Sequence, residues 1–314
     1  MNHFDFEITP IEKLGYFSKK WNVDLLCKRD DLFSKAGGGS KARMLQYILF
    51  GLNKSNCDVL VTAGGPNSNF NRACALMCAQ LGITMHLVEY TDEPIQFESS
   101  LNYYVCKLAG VRTTRCEKKD VPQTIEEVLN QYKGKGVKVS YIYGGGKSLQ
   151  GFFAYYDAVQ ELYNQGMRDL DYVFVACGTG TTLTGICAGM QKYYPKAQVH
   201  GISVARNNED EMPVLQDDIK QLNDFLHASY DFKNLILHDE FLCGGYSHAT
   251  EELKSIVREC ISHEGIVIDP TYSGKAFYGM SSIIKDSTGF DYKKILFWNT
   301  GGIFNLLSDR SLWI

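Results

Sequence analysis

Lys41 stands in GGGSKARMLQYILF, where Gly37, Gly38, Gly39 and Ser40 open an apolar-periodic segment. Met44, Leu45, Ile48, Leu49 and Leu52 recur at helical spacing, so Ser40 is expected as the N-cap and Lys41 as the first helical residue. A cation there faces the positive end of the helix dipole, at a cost of about 0.3–1 kcal/mol. Stability therefore gives little reason for a Lys at this point. An amine that must lose its proton readily, as a Schiff-base Lys does, gives one. The competing account is a solvated Lys with its stem lying over the helix.

A second glycine turn, CGTGTTLTG, sets Gly178, Thr179, Gly180, Thr181 and Thr182 between an apolar run and a helical one. Glycines let the backbone approach an anion, helix-start N–H groups favour it, and Thr hydroxyls donate further bonds, so phosphate is the natural ligand. The spacing is not that of a dinucleotide fold, because Gly185 falls too late. The following strand also ends in Arg206 rather than an acid that would hold a ribose hydroxyl. An NADP enzyme would tolerate that Arg, and a turn with no ligand is the plainer alternative. In GGPNSNFNRA, Ser68 and Asn69 stand at another helix entrance. Asn67 or Ser68 would serve as N-cap, and two Asn with a Ser exceed what one cap requires. Tyr272 follows the Asp-Pro turn of IVIDPTY, and Thr300 follows ILFWN. A Tyr at that position could equally be packed in a core.

The elements that must position these residues alternate in type. DVLVTA (58–63), TMHLVEY (84–90), VSYIY (139–143), YVFVA (172–176), QVHGISVA (198–205), IVIDP (266–270) and KKILFWN (293–299) read as strands. RACALMCAQL, FESSLNYYVCKLAG, LQGFFAYYDAVQELY, ICAGMQKYY and TYSGKAFYGMSSIIKD read as helices following them. This order indicates an α/β fold with a parallel sheet, whose ligands bind at the carboxyl ends of the strands, where the glycine turns fall.

With 314 residues the chain has room for two domains or one large one with a cleft. A net charge of −4 and the absence of a basic run argue against nucleic acid or an anionic membrane as partner. No apolar stretch reaches the roughly 18 residues that span a bilayer. MNHFDFEITP lacks the features of a signal peptide. The ten Cys then suggest reduced thiols in the cytoplasm. Cys74 and Cys78 lie on an apolar helical pattern and read as buried small hydrophobes. Neither they nor the scattered His have metal-ligand spacing, so no metal is expected.

TPIEKL, LLCKRDDL, GGGSKARMLQY, GGPNSNFNRA, YGGGKSLQGFFAY, CGTGTTLTG, DPTYSGKAFYGM and NTGG follow one another over nearly the whole chain. Together they resemble the 1-aminocyclopropane-1-carboxylate deaminase and D-cysteine desulfhydrase family. Its members are pyridoxal-phosphate enzymes of the tryptophan-synthase β-subunit fold (fold type II). The resemblance implies a large cofactor domain from residues 1–45 and 156–314, a smaller inserted α/β domain over 46–155, and a homodimer. It places Lys41 on the Schiff-base Lys and Ser68 on a Ser that takes part in proton transfer beside the substrate. Asn69 falls on the Asn that bonds the pyridoxal ring hydroxyl, and Gly178 to Thr182 fall on the phosphate loop. Tyr272 falls on a Tyr of the substrate face, and Thr300 on the neighbour of the pyridine nitrogen.

Four positions depart from the family pattern. Ser40 replaces an Asn and Met44 a Lys, which removes polar contacts near the phosphate. Phe70 replaces a His or Gln, and Asn299 a Tyr or His, which alters the substrate side. The resemblance implies a pyridoxal-phosphate lyase acting on a small amino acid. With the neutral Thr300 at the ring nitrogen, β-elimination from a cysteine-like or O-activated serine substrate is expected ahead of cyclopropane ring opening. A β-replacement synthase would use the same residues. A non-catalytic binder of a phosphate ligand would have no use for Lys41.

Overall fold

Strands and helices alternate into two sheets in the computed structural model, which describes residues 7–90, 100–246 and 248–312. The first sheet runs β1 (Ile11–Lys13), β2 (Asp24–Arg29), β10 (Lys294–Asn299), β7 (Tyr172–Cys177), β8 (Gln198–Ser203), β9 (Leu235–His238). β1 lies antiparallel on β2, and all other neighbours are parallel. The second sheet runs β5 (Arg112–Cys116), β4 (Thr84–Tyr90), β3 (Val59–Gly64), β6 (Val139–Tyr141), parallel throughout. The helices are α1 (Gly15–Trp21), α2 (Ser40–Ile48), α3 (Asn69–Leu81), α4 (Leu101–Leu108), α5 (Val121–Lys133) and α6 (Leu149–Asn164). They continue with α7 (Thr181–Tyr193), α8 (Asn208–Leu226), α9 (Glu251–Glu264), α10 (Ser273–Asp286) and α11 (Ile303–Ser308).

The central strands of the first sheet are apolar at nearly every position because helices cover both faces. Period-two alternation in β10 sends Ile295 and Phe297 to a core shared with Phe17, Trp21 and Phe277. Leu296 and Trp298 go to the opposite core, with Tyr155, Val175 and Leu183. In β3, Leu60 packs against the α3 side, whereas Val59, Val61 and Ala63 meet α5. Cys74 and Cys78 are buried in the α3 core, as their apolar context indicates, and all ten cysteines are free thiols.

Three local expectations change. Residues 266–270 form no ladder: Ile266 and Ile268 are buried in the core, but Pro270 has no N–H to give. Asp269 meanwhile folds its carboxylate onto the amides of Thr271, Tyr272 and Ser273, a side-chain alternative to strand pairing. The helix carrying Lys41 begins one residue earlier than expected, with Gly39 and not Ser40 at the N-cap and no capping side chain. The Ser40 N–H instead donates to the Thr300 carbonyl at 2.9 Å, so the helix entrance is tied to the end of β10. A side chain at Gly39 (φ +87°) would meet that same carbonyl at 2.8 Å, which is why glycine stands there. In FESSLNYYVCKLAG the helix is α4, capped by Ser100 on the Tyr103 amide; residues 97–99, like 1–6 of MNHFDFEITP, lie outside the described residues. The edge strands β1, β5 and β9 and the helices α1, α5, α8 and α9 were not among the expected elements. Among the described residues no helix is long and apolar enough to cross a membrane.

Candidate active site

The carboxyl ends of β3, β6, β7 and β10 meet a cleft of about 1080 Å³ lined from both sheets. Lys41, Ser68, Asn69, Phe70, Gly178, Thr179, Gly180, Thr181, Thr182, Tyr272 and Thr300 all line it. These residues span most of the chain, and the two sheets bring them to one place. Asn299 stands outside the lining. Its side chain donates to the Val267 carbonyl and accepts from the Gly301 amide, and the residue is fully buried. Met44 is likewise a core residue, packed beside Phe70 against Gly146.

Lys41 donates from Nζ to the Gly145 carbonyl at 3.0 Å and has no carboxylate partner among the described residues. Burial pushes its pKa down to about 8, so about a tenth of the side chain is a free amine at pH 7, far more than for an ordinary lysine. The turn before it is held by a buried charge cluster. Asp30 accepts from Arg43, Tyr155, Trp298 and Thr9, at 2.7–2.9 Å in its shortest contact with each, while its backbone carbonyl accepts from Gly39. Burial would raise the Asp30 pKa, but Arg43 and Lys28 hold it below the usual carboxylate range. The glycine turn of Lys41 is thus clamped between β2 and β10.

At the other side of the cleft, Gly180 (φ +81°) is the N-cap of α7 and no side chain caps the helix. The Thr179 and Thr181 hydroxyls lie 3.1 Å apart beside it. Free helix-start amides, two or three hydroxyls and a glycine hinge suit an anion, and phosphate fits this chemistry. Ser68 is the N-cap of α3: its Oγ accepts from the Asn71 amide at 3.2 Å. That bond uses a lone pair and leaves the hydroxyl proton free to donate.

Two features of the site were not read from the sequence. Tyr246 also lines the cleft, its hydroxyl hydrogen-bonded to that of Tyr272 and its ring edge-on to it. Burial raises the pKa of both phenols, so both are neutral at physiological pH. The lining also carries Lys41, Arg72, Lys118 and Arg206, the last paired with Glu211 behind the cleft, but, among the described residues, no Asp or Glu. Scattered over four segments, these basic residues form no run that sequence could show. Their convergence makes the cleft a receptor for anionic groups.

The comparisons with known proteins agree with this chemistry. A family model described as pyridoxal-phosphate dependent enzyme matches residues 4–301. The chain is 33% identical over 298 residues to a putative 1-aminocyclopropane-1-carboxylate deaminase of Pyrococcus horikoshii, covering 94% of this chain and 89% of that protein. It is 30% identical over 303 residues to a D-cysteine desulfhydrase of Serratia proteamaculans, covering 94% and 91%. Among solved structures, an ACC deaminase homologue superposes with a TM-score of 0.86 at 31% identity, covering 97% of this chain and 93% of that one. A threonine deaminase from Solanum lycopersicum, 15% identical, shares the fold with a TM-score of 0.65 over 94% and 79% of the two chains.

Proposed function

The chain belongs to the pyridoxal-phosphate dependent enzymes of the 1-aminocyclopropane-1-carboxylate deaminase and D-cysteine desulfhydrase type, and from that premise we propose that it is a lyase releasing ammonia from a small amino acid by α,β-elimination. The observation that carries the reading is the Lys41 amine, pushed down to about 8 in a cleft whose lining holds several cations and no carboxylate among the described residues. Residues Gly178 to Thr182 would hold the phosphate, Asn69 and Thr300 the ring, and Lys41 the aldehyde carbon. The bound cofactor supplies the electron sink for bond breaking at the substrate α-carbon.

The protein's own part is binding and proton handling. A substrate carboxylate is drawn to the cationic cleft. Once its amine is free, Lys41 takes the substrate α-proton on Nζ, a transfer favoured by a pKa near working pH. Ser68, whose hydroxyl proton is not used by its capping bond, donates to the substrate. Tyr272, kept neutral by burial, offers its O–H to the leaving group, and Tyr246 orients that O–H through the hydrogen bond between them. Phe70, buried at the cleft wall, presents an apolar face where a polar side chain would otherwise contact the substrate. Among the described residues the lining offers no acid, which leaves a neutral hydroxyl, Thr300, for the ring nitrogen. This favours elimination of a good leaving group, from a cysteine-like or O-activated serine substrate, over cyclopropane ring opening. We also read the strands from β3 to β6 as a smaller inserted domain and the enzyme as a homodimer of cytoplasmic location.

The test is a spectral screen of the purified protein against D- and L-amino acids with product identification. A keto acid and ammonia from a β-substituted amino acid is the expected result. Turnover confined to 1-aminocyclopropane-1-carboxylate, or a β-replacement product formed only with an added nucleophile, would overturn the choice of reaction.

A further inference from the structure

Arg72 is a buried cation that the proposed chemistry leaves unused. It sits in the first turn of α3, is 2% exposed, and borders the cleft. Among the described residues it has no carboxylate partner, although buried charges are ordinarily paired. All its acceptors are neutral. Nε donates to the Ala36 carbonyl at 3.3 Å and Nη2 to that of Gly38 at 3.2 Å. Nη1 donates to Asn69 Oδ1 at 2.7 Å and to Asn102 Oδ1 at 3.0 Å. The guanidinium also stacks over Phe304 of α11, with its carbon 4.4 Å from the ring centroid. One side chain thus joins the turn before Lys41, the start of α3, and helices α4 and α11.

Guanidinium groups only donate. The Asn69 amide must therefore turn its oxygen toward Arg72. Asn102 is fixed in turn, its two Nδ2 protons donating to the Asn67 carbonyl and to Asn305 Oδ1, with the Asn69 oxygen in further contact at 3.2 Å. With its oxygen occupied, Asn69 can present only its N–H groups to the cleft. We propose that Arg72 is a positioning residue which sets the Asn69 amide as a donor and places an uncompensated positive charge behind that amide, so that the cleft selects a ring bearing an ionised hydroxyl. The inference rests on the proposed placement of pyridoxal phosphate beside Asn69 and Lys41. A donor amide backed by a cation recognises a phenolate oxygen and rejects a ring lacking it.

The test measures binding, not turnover. Pyridoxal phosphate and its analogue without the ring hydroxyl are titrated into protein freed of cofactor, for the wild type, Arg72→Met and Arg72→Lys. The wild type is expected to prefer pyridoxal phosphate by at least about tenfold, a preference that Arg72→Met loses. The pH midpoint of the visible band of the bound cofactor should rise by about one unit in Arg72→Met, since removing a cation favours the protonated form. Arg72→Lys, which keeps the charge, should retain the wild-type midpoint. Should Arg72→Met fail to fold, Asn69→Asp serves instead. Its carboxylate pairs with Arg72 and has no N–H to offer, so the cofactor-free protein should melt higher while the preference is lost. An unchanged preference and midpoint in Arg72→Met, or an unchanged preference in Asn69→Asp, overturns the inference. A wild type that retains no pyridoxal phosphate on Lys41 after borohydride reduction overturns the underlying functional reading instead, and the two failures are separable.

Discussion

The Lys41 amine donates to the Gly145 carbonyl at 3.0 Å, a bond that links a helix entered from the first sheet to a turn leaving the second. The amine is thereby aimed into the space between the sheets, with one neutral acceptor among the described residues.

This environment makes the capture of pyridoxal phosphate pH-dependent. The Lys41 pKa is about 8, so the neutral amine fraction grows as pH rises toward that value and levels off above it. Covalent capture by cofactor-free protein, followed by its visible band, should accelerate from pH 6 to a plateau just above about 8. Lys41→Ala should bind without a borohydride-stable link. A midpoint near 10 would show an unperturbed lysine and remove the argument from burial.

Ser68→Ala separates two roles of one hydroxyl. Loss of the bond to the Asn71 amide should cost about 1 kcal/mol of stability. Loss of a proton donor in the cleft should in addition lower single-turnover rate by about a hundredfold or more. A destabilised variant with a near-normal rate would confine Ser68 to the cap.

The parts of the fold legible in sequence were those with strong local signals. Glycine turns after apolar runs marked where β3, β7 and β10 end, and they also marked the cleft. The start of α2 was misread by one residue because its entrance is fixed by Thr300, far along the chain, and not by a local cap. Residues 266–270 have a strand's composition but no partner strand, which only tertiary context decides. Arg72 and Tyr246 were missed for a related reason. An Arg in a helix and a Tyr in a loop carry no spacing, and their meaning comes from Asn69 and Tyr272, which the fold brings to them. Asn299 shows the converse, a position chosen by motif alignment whose amide is consumed by backbone.

His200 of β8 predicts an acid limb in stability. Burial, and then the neighbouring His238, push its pKa down to about 3. Its ring lies 3.0 Å from the His238 Nε2, faces Gln198, and stacks on Phe174. The folded protein resists a proton that the unfolded chain accepts near the ordinary value. This contribution is complete above about pH 6.5 and is lost as pH falls below it, at up to about 1.4 kcal/mol per unit. Denaturant melts between pH 7 and 5 should show a smaller decline in His200→Gln than in the wild type. Parallel declines would mean that other groups govern acid sensitivity.

Gly180→Ala tests the anion loop. A Cβ at φ +81° would lie 2.7 Å from Leu215 Cδ2, so the turn must shift, with strain of about 1–3 kcal/mol. The free amides at the start of α7 move with it. Affinity for pyridoxal phosphate should fall far more than affinity for pyridoxal, which lacks the phosphate. Equal losses for both would place the phosphate elsewhere.

Tyr272 provides the last and most discriminating variant. Its backbone at the start of α10 is fixed by the Asp269 carboxylate, which accepts the amides of Thr271, Tyr272 and Ser273. Its hydroxyl is fixed by Tyr246. A phenol held this firmly from both ends is preorganised to meet a leaving group, and Tyr272→Phe removes only the oxygen. Cofactor retention should be unchanged, because Lys41 and the α7 turn are untouched, while the rate of leaving-group release should fall by about a hundredfold. Tyr246→Phe should give a smaller fall, since the Tyr272 hydroxyl survives but loses its orienting partner. Both phenols are raised above their usual range, so the wild-type rate should show no phenol ionisation below about pH 10. Substrate-induced spectral changes that persist in Tyr272→Phe while product release stops would put its action at the leaving group. A variant as fast as the wild type would reduce Tyr272 to a wall of the cleft.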